Sequence, residues 1–137
     1  MVGIVIVTHS QLGEALIDTT ESILGSRPEY VISVSIDLKE NAEKLRKKIT
    51  HAIKEVNRHK GVLILTDMFG GTPSNLSYSL LEEGRVEVLS GVNLPILIKA
   101  INIRQKMKLG EIAETIEKYG KKSISLASEI LKGNKRA

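Results

Sequence analysis

Residues 61–75, GVLILTDMFGGTPSN, contain the pattern that decides the fold. An uninterrupted apolar run from Gly61 to Thr66 ends at Asp67, and two glycines precede a helix that starts at Thr72 with Pro73 at its first position. A continuous apolar run is typical of a strand buried on both faces, and proline is tolerated in the first helical turn because its missing N–H costs little there. The stretch therefore predicts a buried strand, a tight turn and the start of a helix.

The alternation of apolar runs with helix-period segments continues on both sides of this stretch. Strands are predicted at residues 2–7, 30–36, 61–66 and 85–90, with a short fifth strand at Lys122 to Leu126. Helices are predicted from Leu12 to a left-handed cap at Gly25, over 41–57, from Thr72, from Pro95 to Ile103 and from Leu109 to a stop at Gly120, with a final helical turn after the fifth strand. This alternation is typical of an α/β fold, and we expect a doubly wound, mostly parallel sheet with helices on both faces.

The composition predicts one ordinary globular domain. Of the 137 residues, 42% are hydrophobic and 26% are charged, while aromatic residues make up 3%, so the core must consist mainly of Ile, Leu and Val. No internal repeat or linker divides the chain, and we expect one domain over residues 1–131 followed by a basic tail over 132–137. The absence of cysteine excludes disulfides and thiolate metal sites and favours a reducing, cytoplasmic location.

The chain carries a modest positive charge. Twenty Lys and Arg residues against sixteen Asp and Glu residues give a formal net charge of +4 at pH 7, spread over predicted helix faces and the tail. This balance weakly favours acidic partner proteins, and no nucleic-acid-binding motif accompanies it. No apolar run approaches the ~20 residues that a membrane span requires, so we expect membrane contact only through a partner complex. No cofactor or metal site is predicted.

Three polar loops follow predicted strands. They are Thr8-His9-Ser10 after the first strand, residues 67–72 after the third, and Gly91-Val92-Asn93 after the fourth. In open parallel sheets, ligands bind beyond the carboxyl ends of the strands, because loops and helix N-termini converge there. We therefore expect the three loops to meet at one edge of the sheet and to form the functional site.

The chemistry available at this edge centres on His9. Asp67 ends the third strand and can reach the imidazole across adjacent strands, where an accepting carboxylate fixes which ring nitrogen carries the proton. The other nitrogen then keeps its lone pair for attack on phosphorus. Gly70, Gly71 and Thr72 precede a helix whose free N–H groups can hold an anion. The residues alone also allow a histidine that only caps the first helix and a Gly-Gly-Thr-Pro segment that is only a turn.

The three loops resemble a known family. Ile-Val-Thr-His at 6–9, Asp-Met-Phe-Gly-Gly-Thr-Pro-Ser-Asn at 67–75 and Gly-Val-Asn-Leu-Pro at 91–95 are similar, in order and spacing, to the mannose-type enzyme IIA domains of the bacterial sugar phosphotransferase system. The resemblance covers about residues 1–131. It implies a cytoplasmic phosphocarrier that accepts a phosphoryl group from the small protein HPr and donates it to a sugar-specific enzyme IIB.

The resemblance also implies roles for individual residues. His9 corresponds to the phosphoryl acceptor, Asp67 to the carboxylate that orients it, and Thr72 to the Ser or Thr that contacts the phosphoryl group. The phosphoryl-binding set is completed by Gly70, Gly71 and Ser10. Met68 stands where other members have a hydroxyl residue, so one further donor is missing.

A homodimer is the further implication, because mannose-type IIA domains pair and exchange a C-terminal strand. In this sequence the predicted fifth strand carries Ile124 and Leu126 on one face, and it would leave an exposed sheet edge if it merely ended a monomer. The alternative is a monomer in which the segment folds back on its own sheet or is helical.

The same residues argue against several other functions. A receiver-like domain phosphorylated on Asp67 needs acidic residues after the first strand to hold Mg²⁺, and Thr8-His9-Ser10 offers none. A nucleotide-binding module lacks both glycine-rich phosphate motifs, and a hydrolase using Ser10, His9 and Asp67 lacks the G-x-S-x-G turn. Within phosphotransfer, a regulatory sensor of phosphorylation state and a phosphodonor subunit of a dihydroxyacetone kinase remain alternatives, although Phe-Gly-Gly-Thr-Pro after Asp67 favours the sugar branch.

Overall fold

The computed structural model describes residues 1–133, and it contains a parallel sheet flanked by helices. The strands are β1 (Gly3–His9), β2 (Val31–Ile36), β3 (Val62–Thr66) and β4 (Val86–Ser90). The helices are α1 (Leu12–Leu24), α2 (Ala42–Val56), α3 (Thr72–Tyr78), α4 (Leu94–Ile103), α5 (Leu109–Lys122) and α6 (Ala127–Leu131). The strand order is β2-β1-β3-β4 with every neighbouring pair parallel. The predicted fold class is confirmed.

Two hydrophobic clusters cover the two faces of the sheet. Side chains from α1, α4 and α5 pack on one face, and side chains from α2 and α3 pack on the other. Both clusters consist almost entirely of Ile, Leu, Val and Ala, as the low aromatic content requires. The first six residues of β1 and all of β3 are buried, which explains why these strands have no polar alternation.

Most predicted helix ends agree with the structure. Gly25 caps α1 in the left-handed conformation at φ 88°, and its N–H donates to the carbonyl of Glu21. Asn41 caps the N-terminus of α2 by accepting from the Lys44 N–H. Pro73 and Pro95 both lie in the first turn of their helices, where no N–H is needed.

The predicted helix stop at Gly120 is wrong, because α5 continues through it to Lys122. A Cβ atom at position 120 would lie 2.7 Å from Cγ2 of Ile96 on α4, well inside van der Waals contact. Glycine at this position therefore allows α5 to pack closely against α4. The helix ends at Lys122 and is capped by Ser123, whose N–H and hydroxyl both donate to the Gly120 carbonyl.

The predicted fifth strand at Lys122 to Leu126 is also wrong. Lys122 belongs to α5, and residues 123–126 have no regular secondary structure. A strand needs a neighbouring strand for its hydrogen bonds. Here Lys122 is the last residue of α5 and the Ser123 N–H donates to the Gly120 carbonyl, so both residues belong to the end of the helix. The predicted final helical turn is confirmed as α6. Of the predicted basic tail, residues 134–137 lie outside the described part of the chain.

Candidate functional site

The site lies where the strand order of the sheet reverses. β1 is flanked by β2 on one side and by β3 on the other, so the connections that leave β1 and β3 separate to opposite faces. Such a switch point leaves a crevice beyond the carboxyl ends of the two strands. His9 is the last residue of β1, and Asp67 directly follows β3. The topology therefore brings together the two residues that the sequence identified.

Asp67 holds His9 through two hydrogen bonds to the same carboxylate oxygen. Its Oδ2 accepts from the His9 backbone N–H at 2.9 Å and from the ring Nδ1 at 2.8 Å. A charged carboxylate only accepts, so the ring proton must be on Nδ1, and Nε2 keeps its lone pair. The His9 side chain is 37% exposed and that of Asp67 only 12%. The arrangement presents an oriented imidazole nitrogen beside a largely buried orienting group.

The charge of Asp67 is stabilised by its donors. Burial alone would raise the pKa of this carboxyl, but the backbone and ring N–H groups of His9, with the Met68 N–H, outweigh it and lower the pKa below its ordinary value. The Met68 N–H donates to Oδ1 at 2.9 Å, so both carboxylate oxygens are engaged. Asp67 is therefore a carboxylate at neutral pH and can serve as the acceptor that fixes the tautomer.

The glycine loop after Asp67 contacts the imidazole. Gly70 adopts φ 88°, a conformation that favours glycine, and turns the chain into α3. A Cβ atom at Gly71 would lie 3.1 Å from Cε1 of His9, closer than ordinary contact. The backbone at Gly71 is thus packed against the ring carbon that lies between Nδ1 and Nε2. The missing side chain at Gly71 therefore leaves the space beside this edge of the imidazole open.

The two hydroxyl residues predicted for the site follow the two strands that carry the pair, Ser10 directly after His9 and Thr72 five residues after Asp67. Thr72 is the first residue of α3, and within residues 1–133 its hydroxyl forms no hydrogen bond. Ser10 follows His9 in a left-handed conformation at φ 50°, and its carbonyl accepts from the Ser35 hydroxyl. Neither hydroxyl is hydrogen-bonded to His9 or Asp67 in the described part of the chain. Both are candidates for a ligand.

The third predicted loop joins the edge through its backbone. The N–H groups of Gly91 and Val92 both donate to the Thr66 carbonyl, which fixes this loop next to the end of β3. Asn93 instead caps α4 by accepting from the Ile96 N–H, and its amide nitrogen reaches the Ser123 hydroxyl. The loop therefore supports the edge, and its amide side chain is committed to structure.

A cluster of hydroxyl groups under the glycine loop was missed by the sequence reasoning. Thr66, Ser74, Ser90 and Tyr78 contact one another through their oxygens at 2.6–3.0 Å. A signal was available, since Thr66 and Ser90 each end a strand and Ser74 and Tyr78 are one helical turn apart. Within residues 1–133, no group of three or more potential metal-ligating side chains is present. No helix in that range has the length and apolarity to cross a bilayer.

The fold and the site together define a small open α/β domain that presents an oriented histidine at its switch point. The family model for the PTS system fructose IIA component, EIIA-man, matches residues 3–117. The chain belongs to this family, and it is therefore a IIA component of a sugar phosphotransferase system and a phosphotransferase protein.

Individual relatives agree with this assignment. The chain is 30% identical over its full length to the "PTS system fructose-specific EIIA component" of Bacillus subtilis, covering 94% of that protein. It is 36% identical over 75% of its length to the "PTS system mannose-specific EIIAB component" of Escherichia coli K12, of which the match spans 32%. The structure of "phosphotransferase system component EIIA from Streptococcus agalactiae" superposes with a TM-score of 0.83 at 26% identity, covering 93% of this chain and 98% of that one.

Proposed function

We propose that His9 accepts a phosphoryl group from phospho-HPr on Nε2 and passes it to a sugar-specific enzyme IIB. The observation that carries this proposal is the 2.8 Å hydrogen bond between Nδ1 and Asp67, because it leaves the Nε2 lone pair facing away from the carboxylate. In the first step the P–N bond of the donor breaks as the P–Nε2 bond forms. In the second step the P–Nε2 bond breaks as a new bond forms between phosphorus and the acceptor side chain of enzyme IIB, and His9 recovers its Nε2 lone pair.

The remaining site residues are proposed to hold the phosphoryl group during transfer. Such a reaction needs little covalent help, so the main requirements are alignment and stabilisation of negative charge. The Thr72 hydroxyl and backbone N–H groups from Gly70 to Thr72 are suitable donors, and the Ser10 hydroxyl, next to His9 in the chain, is a further one. α3 has only seven residues, so we attribute binding to these individual donors rather than to a long helix dipole.

Phosphorylation in a reconstituted system tests the acceptor. The chain is mixed with enzyme I, HPr and phosphoenolpyruvate, and the phosphate is located by mass spectrometry. We expect His9→Ala to abolish incorporation, while His51→Ala and His59→Ala, which change exposed histidines, leave it intact. The product should be labile in acid and stable in base, whereas an acyl phosphate on aspartate is lost in base. Undiminished incorporation in His9→Ala, or loss of the phosphate in base, would refute the proposed acceptor.

We also propose that the chain acts in the cytoplasm as a homodimer. Support comes from the apolar side chains after α5, since Ile124, Leu126 and Leu131 are 77%, 63% and 85% exposed. β4 is an edge strand of the sheet, so its outer side is available for pairing with a strand of a second copy. Sedimentation equilibrium should give about twice the 15.1 kDa chain mass, and deletion of residues 124–137 should halve it. A monomeric full-length chain would refute the dimer.

A further inference from the structure

The residue that follows Pro73 connects α3 to the loop that carries Asp67. Ser74 is fully buried, and its hydroxyl donates to the backbone carbonyl of Met68. The same oxygen lies 2.6 Å from the hydroxyl of Thr66. Thr66 directly precedes Asp67 and Met68 directly follows it, so one side chain holds the chain on both sides of the carboxylate.

Ser90 connects the other hydroxyl groups of the cluster around Ser74. Ser90, at the end of β4, contacts Thr66 at 2.7 Å and Ser74 at 3.0 Å, and it contacts the Tyr78 hydroxyl at 2.7 Å. With the Ser74 bond to Met68 there are five close contacts but only four hydroxyl protons. Because the Met68 carbonyl can only accept, the Ser74 proton is directed to the loop, and the remaining hydroxyls share the contacts beneath it.

We propose that Ser74 is a positioning residue for phosphoryl transfer, which acts by fixing the loop that aims Asp67 at His9. This inference rests on the proposed function of His9. Asp67 must direct one oxygen at both His9 donors and the other at the Met68 N–H. Release of the Met68 carbonyl frees the peptide plane after Met68, and rotation there moves the backbone from which the carboxylate and the glycine loop extend.

The chain offers a matched control in the same helix. Ser77 is also fully buried, but its hydroxyl donates at 2.7 Å to the Pro73 carbonyl of its own helix and does not contact the loop. Ser74→Ala and Ser77→Ala each remove one buried hydroxyl from α3. A merely structural role predicts similar effects, whereas a positioning role predicts an effect on His9 only for Ser74.

The test combines transfer kinetics with the tautomer of His9. Single-turnover phosphorylation by phospho-HPr should slow about tenfold in Ser74→Ala relative to Ser77→Ala, the factor that corresponds to one buried hydrogen bond. In ¹⁵N-labelled protein, the His9 signals of a pure Nδ1–H form should change to those of a tautomer mixture in Ser74→Ala alone. Ser74→Thr, which keeps the hydroxyl, should restore both readouts.

A second variant covers the case in which Ser74→Ala does not fold. Thr66→Val keeps the shape of a buried strand residue and removes the other half of the connection, so a smaller change in the same direction is expected. Unchanged rate and tautomer in a folded Ser74→Ala, or in Thr66→Val, would overturn the inference. The tautomer is read without any phosphoryl donor. It therefore decides this inference even if the native protein is not phosphorylated on His9.

Discussion

The substitution Asp67→Asn tests the central geometry of the site, because an amide cannot reproduce the acceptor pattern of the carboxylate. One oxygen of Asp67 accepts two hydrogen bonds from His9, and the other accepts from the Met68 N–H. An amide offers one oxygen and one NH₂ group at similar positions. Whichever way it is turned, the NH₂ group faces a backbone N–H, so one acceptor is replaced by a donor.

The two orientations fail in different ways. With the amide oxygen toward His9, the tautomer is kept, but the NH₂ group opposes the Met68 N–H. With the NH₂ group toward His9, it opposes the His9 backbone N–H and requires Nδ1 as an acceptor, which moves the ring proton to Nε2. Loss of one hydrogen bond to a charged group costs about 1.5–3 kcal/mol, which corresponds to roughly 10- to 150-fold slower transfer. The second orientation blocks the nucleophile altogether.

Single-turnover transfer from phospho-HPr measures this effect, with the acceptor position checked by mass spectrometry. Phosphate should still be found on His9, because the imidazole remains. Asp37→Asn is the matched control, since Asp37 follows β2 at the same edge and its carboxylate accepts a hydrogen bond from the Lys39 N–H. A folded Asp67→Asn variant that transfers within twofold of the native rate would refute the assigned orienting role.

Three further predictions concern stability and packing. Folding lowers the pKa of Asp67, so its charged form stabilises the fold at a pH above the ordinary carboxyl pKa of ~4, and this stabilisation is lost as the pH falls through the lowered pKa. In urea unfolding, the difference in free energy of unfolding between the native protein and Asp67→Asn should therefore shrink in acid. Gly71→Ala places Cβ 3.1 Å from Cε1 of His9 and should slow transfer roughly three- to tenfold, measured in single turnover. Gly120→Ala places Cβ 2.7 Å from Ile96 and should lower the free energy of unfolding by about 1 kcal/mol, because the strain exceeds the gain in helix propensity.

Gly110→Ala serves as the control for both glycine variants. It lies in the first turn of α5, and a Cβ atom there meets nothing within 4 Å. We expect native transfer rates and a free energy of unfolding that is unchanged or higher by up to ~1 kcal/mol. Equal destabilisation of Gly110→Ala and Gly120→Ala would contradict the close-packing explanation. A difference in free energy of unfolding between the native protein and Asp67→Asn that stays constant with pH would contradict the pKa explanation for Asp67.

The parts of the fold that the sequence predicted well are those in which one local pattern has one physical meaning. β1 and β3 are buried on both faces, and short apolar runs bounded by polar turn residues are typical of such strands. The contact between His9 and Asp67 followed from the strand edge, because parallel strands bring their carboxyl ends together. The hydroxyl cluster was missed because Thr66 and Ser90 at strand ends resemble ordinary polar loop residues until their partners are known.

Gly120 shows why other elements were not predicted. A glycine near the end of a helical pattern usually indicates a left-handed cap, as Gly25 does in this chain. The same residue type also permits close approach of two helices, and only the position of Ile96 on α4 distinguishes the two meanings. That position depends on how α4 and α5 are packed, which no local window of sequence contains.

The segment after α5 was mispredicted because its alternating pattern does not show what the apolar side chains contact. Ile124 and Leu126 alternate as strand residues do, yet in the described chain they are exposed and the segment forms no strand. Burial of each side chain would contribute about 1.5–3 kcal/mol, and at 77% and 63% exposure most of that contribution is not realised within residues 1–133 of one copy. β4 is one of the two edge strands of the sheet in residues 1–133, so its outer side can accept a further strand. The proposed dimer would account for both observations, because residues 123–126 would then form a strand only against a second copy.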